Sequence, residues 1–433
     1  MNKWNKSIND QMKQKNGINL KNETIAGFTT FFTMAYIIFV HPDILAKTGM
    51  DKNALIAVTC IVTAISTIIA GIFGKAPIAM APGLGLNTFF TYSLVMEEKI
   101  SWQTALGIVF LSGTLFLILT LIGLRKKLVQ AIPKSMVFSI TVGIGIFISF
   151  IGLKNLGLIV SNEATIVGLG KFSPTVLIGI AGLILTISLE AFKIRGALLI
   201  GIFTSTLLAL IFGYARLPGE IISAHINILP IAFKLDLIGA FKWGLIGAIF
   251  SLMFVDMFDS IGTLVGCFNK MGEIEDKGQI PGINKLLAVD AIATMFGALL
   301  GTSTTTSYME SAAGIEAGGR TGKTAIVTGI LFLSGLLFIP VIGIVPTYAT
   351  APALIIVGLY MTKKIVNIDF KNMEEAFPAF ITILMIALSF SISTGLALGF
   401  VSYTLLKAIR LKFKELNLTL LIITGLCLLF LIL

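Results

Sequence analysis

Ala79-Met80-Ala81-Pro82-Gly83-Leu84-Gly85-Leu86-Asn87-Thr88 and, in the other half of the chain, Gly301-Thr302-Ser303-Thr304-Thr305-Thr306-Ser307-Tyr308-Met309-Glu310-Ser311-Ala312-Ala313-Gly314 are the stretches on which the fold turns. Each lies inside an apolar region, yet neither has the Leu-rich composition of a lipid-facing helix. Pro82 lacks a backbone donor, Gly83 and Gly85 loosen the chain, and the hydroxyl run competes for backbone hydrogen bonds. Both stretches are therefore expected to be interrupted, a short strand plus a half-helix. Gly-rich helix packing is the plainer alternative, and it is weaker for the second stretch, which carries a carboxylate.

Around them the chain reads as a membrane protein. Of its 433 residues 56% are hydrophobic and 12% charged, about half the charged share of a soluble domain, and the mean hydropathy is +0.96. Apolar segments fall near 23–41, 54–74, 78–96, 101–123, 134–153, 173–192 and 196–213, then near 238–268, 285–300, 302–317, 322–344, 347–362, 375–393 and 395–411. The expected fold is all-α and polytopic, with 14 transmembrane segments as a 7+7 inverted repeat and spans 3 and 10 interrupted. Seven is odd, so two consecutive halves must lie upside down to one another. The domains are a polar tail at 1–22, a first repeat at 23–213, a loop at 214–236, a second repeat at 237–412 and an apolar tail at 413–433. The tail's 415–433 stretch is expected to stop short of a full crossing.

The net charge of +10 does not point to nucleic acid, because the basic residues are scattered singly between apolar segments. They fit topology instead. With the N-terminus in the cytoplasm, Lys and Arg fall in even-numbered loops (Lys75, Arg125, Lys126, Lys127, Lys193, Arg195, Lys270, Lys277, Lys363 and Lys364 among them) roughly twice as often as in odd-numbered ones. The tail, with Lys3, Lys6, Lys13, Lys15 and Lys21, has no apolar core and is not a signal peptide. Cys60, Cys267 and Cys427 read as packing residues, and no cofactor or metal motif accompanies them.

Ionisable groups at membrane depth are functional candidates by default. Asp256 and Asp259 are spaced i, i+3, near one helical face, Glu310 sits in the interrupted tenth span, and Asn87 is the polar member of the third. Two carboxylates and an amide could grip a planar heterocycle by its ring N–H and exocyclic groups. Glu310 or Asp259 is expected to contact it, with Asp256 as a proton or structural partner and Thr305 and Glu316 as second-tier residues. His41 is expected to be interfacial or to pack. Glu190, Asp290, Glu316 and Arg320 lie near span ends, where solvated or snorkelling charge is the expectation. No phosphate loop, H-E-x-x-H or histidine cluster is present, which argues against an enzyme or an ATP-driven pump.

Four signatures, Glu23-Thr24-Ile25-Ala26-Gly27-Phe28-Thr29-Thr30-Phe31-Phe32-Thr33-Met34-Ala35-Tyr36, Ala81-to-Asn87, Asp256-to-Thr263 and Thr302-to-Gly319, resemble the azaguanine-type purine permeases, a branch of the nucleobase/ascorbate transporter superfamily. The resemblance runs from about residue 20 to the end. It implies a substrate-holding core (spans 1–4 and 8–11), a gate (spans 5–7 and 12–14), a rocking or elevator-like motion, and proton-coupled import of adenine, guanine or hypoxanthine across the cytoplasmic membrane. It also implies Asp259 and Glu310 as acidic ligands, Asn87 as the polar position of span 3, and Met309 as the source of backbone ligands, and it allows for a homodimer. An ion channel filtered by residues 302–307 is the main rival. An anion transporter would need a basic residue between the broken spans, and neither stretch contains one.

Overall fold

The computed structural model describes residues 19–124, 132–223, 226–242, 245–272 and 282–432. Lys3, Lys6, Lys13, Lys15, Arg125, Lys126, Lys127, His225 and Lys277 lie outside the described residues. The protein is mostly helical, and among the described residues ten helices are long and apolar enough to cross a membrane.

The first half contains α1 (Leu20–Met34), α2 (Ile37–Leu45), α3 (Lys52–Ile69), β1 (Met80–Pro82), α4 (Leu84–Thr88), α5 (Trp102–Leu121), α6 (Lys134–Leu156), the hairpin β2 (Ile159–Asn162) and β3 (Ile166–Leu169), α7 (Pro174–Ala191) and α8 (Ala197–Ile211). After a short α9 (Leu237–Ala240) come α10 (Ile246–Met271), α11 (Ile283–Leu300), β4 (Thr305–Ser307), α12 (Ser311–Glu316), α13 (Gly322–Ser334), α14 (Ile339–Gly343), α15 (Thr347–Thr362), α16 (Met373–Ser389), α17 (Ile392–Ile409) and α18 (Leu418–Ile432). Local chemistry sets several starts. Asp51 caps α3 through Ala54 N at 2.7 Å, and Ser173 precedes Pro174 at the first turn of α7.

Both interrupted segments are as expected. β1 and β4 pair antiparallel, Met80 opposite Ser307 and Pro82 opposite Thr305, and each leads into a short helix. Pro82 is tolerated because a two-stranded ribbon leaves one side of each strand free. The ladder is extended by Gly83 N donating to Thr304 O (3.0 Å) and Tyr308 N donating to Ala79 O (2.9 Å). Gly83 is needed there, since a Cβ would lie 2.6 Å from Thr306 Cγ2.

The helices form two bundles around this crossing. In one, α13 packs on α3 and on α1, and α5 packs on α11 and α10. In the other, α6 packs on α15, α7 on α8, α16 on α17, α7 on α15 and α16 on α6. The second bundle is tied at one face by the buried Lys407, which pairs with Glu374 (2.9 Å), Glu415 (2.7 Å) and Glu375 (3.4 Å). α18 lies against α17, Thr404 meeting Thr424 at 2.7 Å. Its 15 residues span about 22 Å, short of a ~30 Å hydrocarbon core.

Candidate functional site

Between the bundles lies a cavity of about 590 Å³, within the usual size range of ligand pockets. Its wall joins α10 (Asp259, Thr263), the end of α1 (Thr33, Tyr36), the turn after β1 (Gly83 to Gly85), the segment from Thr306 to Glu310, and α15 with its extension (Tyr360, Met361, Lys364). Each acid is held from a distant element. Glu310 stands at the start of α12 but makes no capping bond to its own helix; instead the buried Tyr36 hydroxyl donates to its Oε1 at 2.5 Å. Asp259 Oδ2 accepts from Thr306 at 3.4 Å, and Lys364 is its main charged neighbour. α12 is steadied from behind by Arg320, whose guanidinium donates to Ile315 O (2.5 Å) and Gly319 O (2.7 Å), and by a close approach to α1 at Gly314, where a Cβ would meet Thr30 Oγ1. Glu23 accepts from Thr324 (2.5 Å) at the start of α13.

One end of the cavity is open, ringed by Glu190, Lys193, Arg195, Lys270 and Glu316. At the other end the bundles are bonded together: Asp43, paired with Lys52 within its own bundle at 2.6 Å, accepts from Thr350 at 3.0 Å, Lys47 donates to Asn155 at 2.5 Å, and Ser93 donates to Phe390 O.

Of the acids and ligand residues singled out from sequence, Glu190, Asp259, Met309, Glu310 and Glu316 line this cavity. Glu316, exposed at the mouth, pairs with Lys270. Asn87 does not face the ligand space: it is fully buried and accepts from Ser303. Thr305 is also behind the wall, its backbone N and O both bonded to Thr294 Oγ1. Asp256, three residues from Asp259, is turned away by the ~60° that i, i+3 leaves between side chains, and accepts from Thr294 at 3.2 Å.

Two other expectations are corrected, for Asp290 and for basic groups at the site, and two are met, for Arg320 and His41. Asp290 is not solvated at a span end; it is fully buried, accepting from Ser307 at 3.3 Å. Arg320 is exposed, as expected of a span-end charge, and its guanidinium also caps the end of α12. His41 packs, one of the two roles expected of it: it is fully buried, with Nε2 2.7 Å from Thr302 Oγ1. Basic groups do reach the site, because Lys364 comes from α15's extension and not from the broken segments. The hydroxyls of 302–307 are also wholly buried, and only Thr306 and Ser307 of that run touch the cavity, an arrangement unlike a filter. Sequence reading missed Tyr36, Tyr360 and Lys364; Tyr36 alone left a signal, closing the first signature at the break between α1 and α2.

This architecture, two broken segments crossing beside a polar cavity in a multi-pass helical protein, is that of a membrane permease. The chain belongs to the nucleobase/ascorbate transporter family: the family model described as "Permease family" (Xan_ur_permease) matches residues 21–398. The chain is 47% identical to Methanocaldococcus jannaschii MJ0326 over 93% of each chain. It is 42% identical to the adenine permease AdeP of Escherichia coli (93% of this chain, 91% of AdeP) and 40% identical to the guanine/hypoxanthine permease PbuO of Bacillus subtilis (92% and 94%). The transmembrane domain of a cyanobacterial bicarbonate transporter, BicA, shares the fold with a TM-score of 0.67 at 16% identity, covering 88% of this chain and 97% of that one.

Proposed function

We propose that this protein imports purine nucleobases across the cytoplasmic membrane by proton symport and alternating access. The observation that carries the reading is the placement of Asp259 and Glu310 on one cavity, with Thr306 and Tyr36 fixing one oxygen of each. The remaining carboxylate oxygens can accept from the ring N–H and amino groups of a purine, Met309 offers backbone groups beside Glu310, and Tyr360 adds an aromatic ring. Relatives named as adenine and as guanine/hypoxanthine permeases support the purine class and leave the preferred base to experiment.

The reading includes 14 segments in two inverted halves, with α1–α5 and α10–α13 as a core and α6–α8 and α15–α17 as a gate. Reciprocal packing supports it: second segment on eleventh (α3 with α13) mirrors ninth on fourth (α11 with α5), and sixth on twelfth (α7 with α15) mirrors thirteenth on fifth (α16 with α6). The open mouth carries charges from the even-numbered loops, which the positive-inside pattern assigns to the cytoplasm, so the form described is open to the inside. A homodimer is the proposed assembly.

Lys364, Lys193, Arg195 and Lys270 favour a second reading, transport of a small anion. The test separates the two: uptake of radiolabelled hypoxanthine, guanine, adenine, uracil and bicarbonate into transporter-deficient cells, with and without a protonophore. Saturable purine uptake that collapses with the protonophore is expected. Anion uptake without purine uptake would overturn the reading.

A further inference from the structure

Behind the cavity wall, Asp256 on α10 bonds Thr294 of α11, which stands one helical turn after Asp290, so the two carboxylates share one enclosed site; they are 1% and 0% exposed. One oxygen of each is bonded, to Thr294 and Ser307 respectively, and the other oxygen of each, Oδ1, has no protein partner. Among the described residues no Lys, Arg or His bonds either carboxylate. Around them, α10 adds Asp259; α5 carries no titratable side chain; α3 brings Cys60 and Lys52, the latter paired with Asp43; Tyr308, Glu310 and Lys364 line the cavity with Asp259, Lys364 coming from the gate. Two carboxylates this enclosed cannot both stay charged, and an orphaned buried oxygen is costly. A single proton held between them resolves both.

The pair is not isolated from the cavity. Thr306 bonds Asp259 and also meets Ser260 at 2.8 Å; Ser260 stands one helical turn after Asp256 and accepts from the backbone N of Ser307, whose hydroxyl donates to Asp290. We propose that Asp256 and Asp290 form the coupling-ion site, binding one proton and exchanging it with the cavity carboxylate Asp259 through the hydroxyls of Ser260 and Thr306. In each transfer a hydroxyl oxygen takes one proton and releases its own to the next acceptor. The net change is one proton lost at Asp259 and one gained by the pair, and the hydroxyls reset by rotation.

This inference rests on the purine-symport reading, and the experiment separates their failures. Purified protein is placed in liposomes, and purine counterflow without a gradient is measured beside concentrative uptake driven by an inside-alkaline pH gradient or by a sodium gradient. Wild type is expected to show counterflow and pH-driven uptake; absence of wild-type counterflow sinks the purine reading itself. Asp256→Asn and Asp290→Asn are expected to keep counterflow and lose pH-driven concentration. Retained concentration, loss of counterflow in folded variants, or a wild type driven by sodium alone would overturn the pair as a proton site. If the Asn variants do not fold, Ser260→Ala decides: slowed pH-driven uptake with intact counterflow, restored by Ser260→Thr, is expected, and unchanged pH-driven uptake contradicts the relay.

Discussion

The two interrupted segments meet strand to strand at the centre of the protein, and they bring opposite chemistry to the meeting. The first supplies shape: Pro82 ends its strand, Gly83 lets the second strand approach, and Gly83 to Gly85 present backbone to the cavity while Asn87 turns away to Ser303. The second supplies reactive groups: Thr306 reaches Asp259, Ser307 reaches Asp290, and Glu310 enters the cavity. Two segments of similar build, a short strand leading into a short helix, have divided the work, so paired elements hold an asymmetric site.

Substitutions at matched places should expose that division. Glu310→Gln removes a charged acceptor and should cost about 3 kcal/mol, roughly 100-fold in uptake KM or rate, read by purine uptake. Gly83→Val drives a side chain into Thr306 and should destabilise the protein by about 1–3 kcal/mol, read as a lower melting temperature in detergent, with uptake falling because the strands separate. Asn87→Ala strips the partner from a buried hydroxyl and should cost ~1 kcal/mol of stability while leaving purine KM close to wild type; a large KM change with unchanged stability would put Asn87 back at the ligand. Glu316→Gln breaks only the exposed pair with Lys270 and should change stability by less than about 1 kcal/mol, with uptake nearly intact.

The same contrast explains what the sequence could and could not say. The interruptions were legible because Pro, Gly and hydroxyl residues act on the backbone locally, wherever the segment packs. Asp259 and Glu310 were legible because few carboxylates occur at that depth. Orientation was not: a four-residue difference along α4 and its entry decides whether a residue faces the cavity, as Gly83 does, or the buried network, as Asn87 does. Asp290 looked like a span-end charge because its burial comes from β4 and α10, distant in sequence. Tyr36 and Lys364 reach the site only through packing of α1 and α15 against the crossing. Length misled as well, since segments such as α8, with 15 residues, fall short of an ordinary span.

Equilibrium binding to the purified protein tests the central claim most directly. Guanine, hypoxanthine and adenine are titrated into wild type and Glu310→Gln, with bicarbonate and sulfate as comparison ligands. Purine binding in wild type that is lost in Glu310→Gln is the predicted result; purine binding unaffected by the substitution, or binding of anions with no binding of purines, would contradict it.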